Sequence, residues 1–139
     1  MKTLKLMTVG LFFLFVNQAI AQVSVNVNLG TPPAWGPAGY TEVEYYYLPD
    51  LEMYYDVHQT QFIYFSGGRW VRTTYLPRRY RGYDLYGGYK VVLSDYHGPA
   101  PYTYFKDHKV KYYKGYRNGH QATIGVRGEK KHKGKKHHG

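Results

Sequence analysis

Apolar and polar residues alternate through much of the chain with the period of strands. Val23-Ser24-Val25-Asn26-Val27-Asn28-Leu29 alternates strictly, the pattern of a half-buried strand. Gly30–Pro37 then breaks it with prolines that cannot donate to a ladder. Further strands are predicted over Glu42–Leu48, closed by the turn dipeptide Pro49-Asp50, and over Leu51–Val57. In the latter, Leu51, Met53, Tyr55 and Val57 share one face, with Glu52, Tyr54 and Asp56 on the other. Thr60–Phe65 and Arg69–Thr74 flank Ser66-Gly67-Gly68, a hairpin signal because glycine reaches positive φ at no steric cost. These segments make an antiparallel meander from Glu42 to Thr74. Tyr80–Gly88 is rich in turn formers, Tyr89–Ser94 is one more strand, and Pro99 and Pro101 interrupt the pattern again.

Near the C-terminus the period changes. Tyr102, Phe105, the Lys109 stem, Tyr112 and Tyr116 share one face of a helix over Thr103–Lys114, which Gly115 would stop. A strand through Lys109–Tyr113 competes with that helix. No apolar residue follows Val126, so the end of the chain cannot join a core and is expected to be a disordered tail. The fold class that results is mostly β: a small antiparallel meander with one candidate C-terminal helix and a disordered basic tail. The domain is expected over residues 22–119 and the tail over 120–139.

The first 21 residues read as a cleaved export signal. Lys2 and Lys5 precede the apolar run Leu6–Val16, and Ala19-Ile20-Ala21 is a small-x-small cleavage site. A membrane span would need roughly twice that apolar length. The chain has no cysteine, which excludes lipoprotein anchoring, disulfide stapling, thiolate chemistry and cysteine zinc sites. No Asn-x-Ser/Thr acceptor is present either. Periplasm, cell surface or extracellular space is the expected location.

Composition modifies this picture in one respect. Only 21 of the 118 residues after Ala21 are Leu, Ile, Val or Phe, a proportion usual in disordered chains. Tyrosine carries the missing apolar load: all 18 lie between Tyr40 and Tyr116. Tyrosine favours strands and buries a large ring whose hydroxyl needs water or a partner.

Tyr45-Tyr46-Tyr47-Leu48-Pro49-Asp50, Tyr54-Tyr55-Asp56, Gly67-Gly68-x-Trp70-Val71, Leu76-Pro77 and Tyr83-Asp84-Leu85-Tyr86-x-Gly88-Tyr89-Lys90-Val91-Val92 follow one another in order. This string resembles small exported tyrosine-rich proteins of Bacteroidota, over Val23–Gly119. The resemblance implies bacterial export and a shared domain, and brings no activity, ligand or catalytic residue with it.

Charge divides the chain. Gln22–Pro77 carries two basic and five acidic residues, whereas Arg78–Gly139 carries 15 basic and four acidic ones. Arg127, Lys130, Lys131, Lys133, Lys135 and Lys136 make the tail a polycation, suited to salt-sensitive contact with anionic envelope polymer or lipid headgroups. Trp70, Arg72, Tyr75, Arg78, Arg79, Tyr80, Arg81 and Tyr83 interleave rings with guanidinium groups, a combination that stacks on bases, sugars or a protein partner, although core packing claims most such rings. Export argues against nucleic acid. His132, His137 and His138 are weak metal candidates, because the surrounding lysines repel a cation.

No cofactor is called for. The pairs Glu42/Glu44 and Glu52/Asp56 fall on common strand faces and could serve a cell-wall glycan hydrolase. The competing reading keeps them as solubilising charges on exposed faces. No serine stands out as a nucleophile for Asp56/His58 or Asp95/His97. The expected role is a non-catalytic, envelope-associated binding or structural protein, with the hydrolase as the alternative.

Overall fold

The computed structural model describes residues 30–128. The alternating segment Val23–Leu29, the signal sequence and the tail lysines and histidines lie outside them. Five strands form one antiparallel sheet: β1 Tyr45–Leu48, β2 Met53–Asp56, β3 Gln61–Ser66, β4 Arg69–Thr73 and β5 Val91–Val92. Their order is β4-β3-β2-β1-β5. The first four strands are the meander read from the sequence. The fifth crosses to the far edge and pairs with β1 through Tyr46↔Val92 and Tyr47↔Val91. Only Val91–Val92 of the expected Tyr89–Ser94 strand enters the ladder.

Alternation assigns each ring to a face. Tyr46 pairs with Tyr55 and Tyr47 with Tyr54, so neighbouring tyrosines of β1 point to opposite sides. On one face Tyr46, Met53, Tyr55, Val57 and Phe62 form a cluster capped by Trp35 and by Leu76, Tyr80, Tyr83 and Leu85 of the β4–β5 crossover. On the other, Tyr45, Tyr47, Tyr54 and Ile63 lie beneath Trp70, Tyr102, Phe105 and Tyr112. β1 and β2 are consequently buried along their whole length. These two strands have no face left for solvating carboxylates, whereas β4 and the end of β3 stay partly exposed.

The C-terminal cover begins with a 3-10 turn, Pro101–Tyr104, and continues as the helix α1, Phe105–Lys111. This decides for the helix over the strand, although it is shorter than Thr103–Lys114. Seven residues cannot sustain an isolated helix. Packing of Phe105 on Trp70, with ring centroids 4.9 Å apart, holds it in place.

The segment expected to open the tail folds back on the domain. Ala38 N–H donates to Ala122 O, Ile124 N–H to Gly36 O and Gly125 N–H to Ala34 O. The Gln121 side chain brackets Lys90, accepting from its N–H at 2.9 Å and donating to its C=O at 2.8 Å. No helix among the described residues is long and apolar enough to cross a membrane.

Candidate functional site

The carboxylates expected on common strand faces are dispersed. Glu42 and Glu44 precede β1, and Glu42 is exposed with a left-handed backbone, φ 56°. Glu52 occupies the β1–β2 turn at φ 50° and reaches Lys109 at 3.4 Å. Asp56 ends β2, only 4% exposed. Its Oδ1 accepts from Gln59 N–H at 2.9 Å and its Oδ2 from Arg72 Nη1 at 2.7 Å. Glu44 Oε1 lies 2.8 Å from His97 Nδ1. His97 therefore joins Glu44 rather than the adjacent Asp95, and Asp56 joins Arg72 rather than His58.

The aromatic and basic residues singled out from the sequence also separate. Trp70 stacks on Tyr102 at 4.9 Å beside Phe105, as part of the helix-side core. Arg72 is committed to Asp56 and, through Nη2, to Pro99 O at 2.7 Å. Arg127 pairs with Asp84. Each of the three fills a packing or ion-pairing role within the fold. Arg78 and Arg79 lie in a 3-10 turn, Arg78–Tyr80, that carries Arg81 as its C-cap. All three are exposed, and none has a carboxylate within ion-pair distance among the described residues. Arg79 covers the Tyr80 ring at 4.8 Å.

Arg81 borders an open groove of about 650 Å³. Its floor is Trp35, Tyr55 and Phe62, and its rim includes Tyr75 and Leu76. Trp35 meets Tyr55 edge-on at 4.7 Å and lies nearly parallel to Phe62 at 6.1 Å. Tyr75 is 80% exposed. Its loop is held by the Thr73 hydroxyl, which donates to Tyr75 O at 2.7 Å. Trp35 was not singled out by sequence reasoning, and its one signal is a lone indole within a Pro/Gly-rich run. Gly36 permits this placement, since a Cβ there would lie 2.7 Å from the Tyr46 hydroxyl oxygen.

Three further polar centres are structural in character. Asp50 accepts from Tyr83 Oη at 2.7 Å, Arg117 Nη2 at 2.8 Å and Gly115 N–H at 3.1 Å. The Arg117 hydrogen bond, aided by Tyr83, outweighs burial and lowers the pKa of that carboxyl below its usual range. Lys90 is 2% exposed, and its Nζ donates to Leu85 O and Gly88 O at 2.7 Å and to Tyr86 O at 3.3 Å. Burial pushes its pKa down to about 8. On the helix side, Tyr54 Oη lies 2.8 Å from His108 Nδ1. Burial raises the tyrosine and lowers the histidine, so both are neutral at pH 7. We assign the hydroxyl as donor and Nε2 as the protonated imidazole nitrogen.

Among the described residues, no group of three or more His, Cys, Asp or Glu could hold a metal ion. Comparison with protein-family profiles, with characterised proteins and with solved structures gave no match.

Proposed function

We propose that this chain is an exported, non-catalytic binding protein of a bacterial envelope that engages anionic polymer or lipid headgroups through its basic C-terminal half. The observation that carries the reading is the run Arg78–Arg81. It places three guanidinium groups, none within ion-pair distance of a carboxylate among the described residues, on one exposed turn whose Arg81 borders an open aromatic groove. Closely spaced, uncompensated cations favour anionic partners and make binding steeply salt-dependent. The lysines beyond residue 128 extend the same charge. Export rests on the Lys2–Ala21 pattern.

Carboxylate placement favours binding over the hydrolase alternative. Glu52 lies in the β1–β2 turn and Asp56 at the far end of β2, and each is engaged by a different cation, Lys109 and Arg72, rather than facing the other across a cleft as a glycosidase pair does. Asp56 is moreover buried against Arg72.

Fractionation of the producing cell at low and high salt tests the reading. The full mature chain should sediment with envelope material at low salt and be released by high salt. Replacing Arg78, Arg79 and Arg81 by Gln and removing Glu129–Gly139 together should release it at low salt. Unchanged sedimentation of that variant would overturn the proposal.

A further inference from the structure

The groove beside Arg81 points to a ligand class, and the argument rests on the envelope-binding reading above. We infer that the Trp35–Tyr55–Phe62 groove binds one or more rings of an acidic saccharide, with Arg81 receiving the ring carboxylate and Tyr75 stacking on a sugar face.

The groove volume, about 650 Å³, falls within the range of small-ligand sites, about 300–1,000 Å³. Its floor is aromatic and rigid, because Tyr55 and Phe62 belong to adjacent central strands and are 7% and 5% exposed. Acyl chains gain most from enclosure, and this groove is open to water. An open aromatic strip suits a flat ring that lays its C–H face on the floor and leaves its hydroxyl edge hydrated. Tyr75 offers such a ring an uncovered face: it is 80% exposed and joins neither aromatic cluster.

The charge at the rim selects the sign of the ligand. Asp84 is occupied by Arg127, and Asp50 by Arg117 and Tyr83. Arg81 therefore meets no competing carboxylate among the described residues. A guanidinium takes a carboxylate through two parallel hydrogen bonds, so a uronate is favoured over a neutral hexose.

The test uses the mature chain and a short oligouronide, a neutral oligosaccharide of equal length and anionic phospholipid vesicles. Calorimetric titration gives the affinities. The variant Trp70→Phe leaves Trp35 as the single indole, and its emission reports on the groove face alone. The oligouronide should bind saturably and shift that emission, and the neutral oligosaccharide should bind at least about tenfold more weakly. Tyr75→Ala and Arg81→Gln should each weaken the oligouronide by about tenfold with unchanged thermal midpoints, since both side chains are exposed. Removing Glu129–Gly139 should leave this affinity within twofold. Equal binding of neutral and acidic sugars, an unshifted Trp35 emission, or full affinity in Tyr75→Ala overturns the inference. Vesicles that bind and compete with the sugar at the groove overturn it in favour of a lipid ligand. Salt-sensitive envelope sedimentation without oligouronide binding defeats the saccharide inference and leaves the envelope reading standing. Oligouronide binding without sedimentation defeats the envelope reading instead.

Discussion

The hydroxyls of the central tyrosines have different fates, and stability should follow them. Tyr54 and Tyr83 each have a partner, His108 Nδ1 at 2.8 Å and Asp50 Oδ2 at 2.7 Å. The buried hydroxyls of Tyr46 and Tyr47 find none among the described residues. A buried polar group without a partner costs about 1–3 kcal/mol, whereas a satisfied one contributes about 1 kcal/mol. Urea unfolding should therefore show Tyr46→Phe and Tyr47→Phe at least as stable as the parent, and Tyr54→Phe and Tyr83→Phe less stable by about 1 kcal/mol. A loss in Tyr46→Phe equal to that in Tyr83→Phe would contradict this. Asp56 and Arg72 set a larger effect. Arg72→Ala leaves a carboxylate that is 96% buried without its cation, at a cost of about 3 kcal/mol. Adding Asp56→Asn removes the stranded charge and should recover part of that loss in a double-mutant cycle.

At the scale of elements, the β3–β4 hairpin depends on its turn and α1 on its neighbours. Gly67 and Gly68 have φ of 59° and 78°, both in the left-handed region that β-carbons disfavour. Gly68→Ala should cost about 1 kcal/mol, and Gly68→Asn less, because asparagine tolerates that region. α1 has too few turns to persist alone. Phe105→Ala removes the ring that meets Trp70 at 4.9 Å and Tyr54 at 6.4 Å. Hydrogen exchange should then show amides of Phe105–Lys111 losing protection before those of β1 and β2. Uniform loss across sheet and helix would mean that α1 belongs to the same cooperative unit. The hairpin was legible in the sequence because Gly-Gly and the period-two pattern are local signals. The shortening of α1 was not, because its ends are fixed by contacts with the sheet.

The whole molecule is built on tyrosine, and this gives it a characteristic response to alkali. Burial raises Tyr46 and Tyr47 to about 12 from the ordinary value of 10.0, and raises Tyr54 and Tyr83 further. Between those values the unfolded chain has lost protons that the folded chain retains. Stability contributed by these hydroxyls is therefore complete below pH 10 and falls as pH rises toward 12. The slope is about 1.4 kcal/mol per pH unit for each tyrosine still protonated in the fold. Circular dichroism against pH should show cooperative unfolding in that window, with the last part of the tyrosinate absorbance rising in step. Full tyrosinate absorbance reached near pH 10 with the fold intact would contradict it. The proposed envelope attachment belongs to the same scale, since it would depend on summed charge and should fall steeply with salt.

The meander, the hairpin, the division of β2 into two faces and the charge asymmetry are written in the sequence. Each is local, set by side-chain alternation, turn chemistry or a count of charges. Long-range packing decided that both faces of β1 and β2 are covered. A crossover and a helix distant in sequence both had to find apolar rings to bury against, and this turned Asp56 from an expected surface charge into a buried ion pair with Arg72. It also separated Trp70 and Arg72 from Arg78, Arg79 and Arg81, which sequence proximity had grouped together. The groove at Arg81 exists only because the Trp35 segment folds back over β2 and β3. No periodicity encodes a contact between a Pro/Gly-rich segment and a face two strands away, because that contact follows from how surfaces pack and not from neighbouring residues.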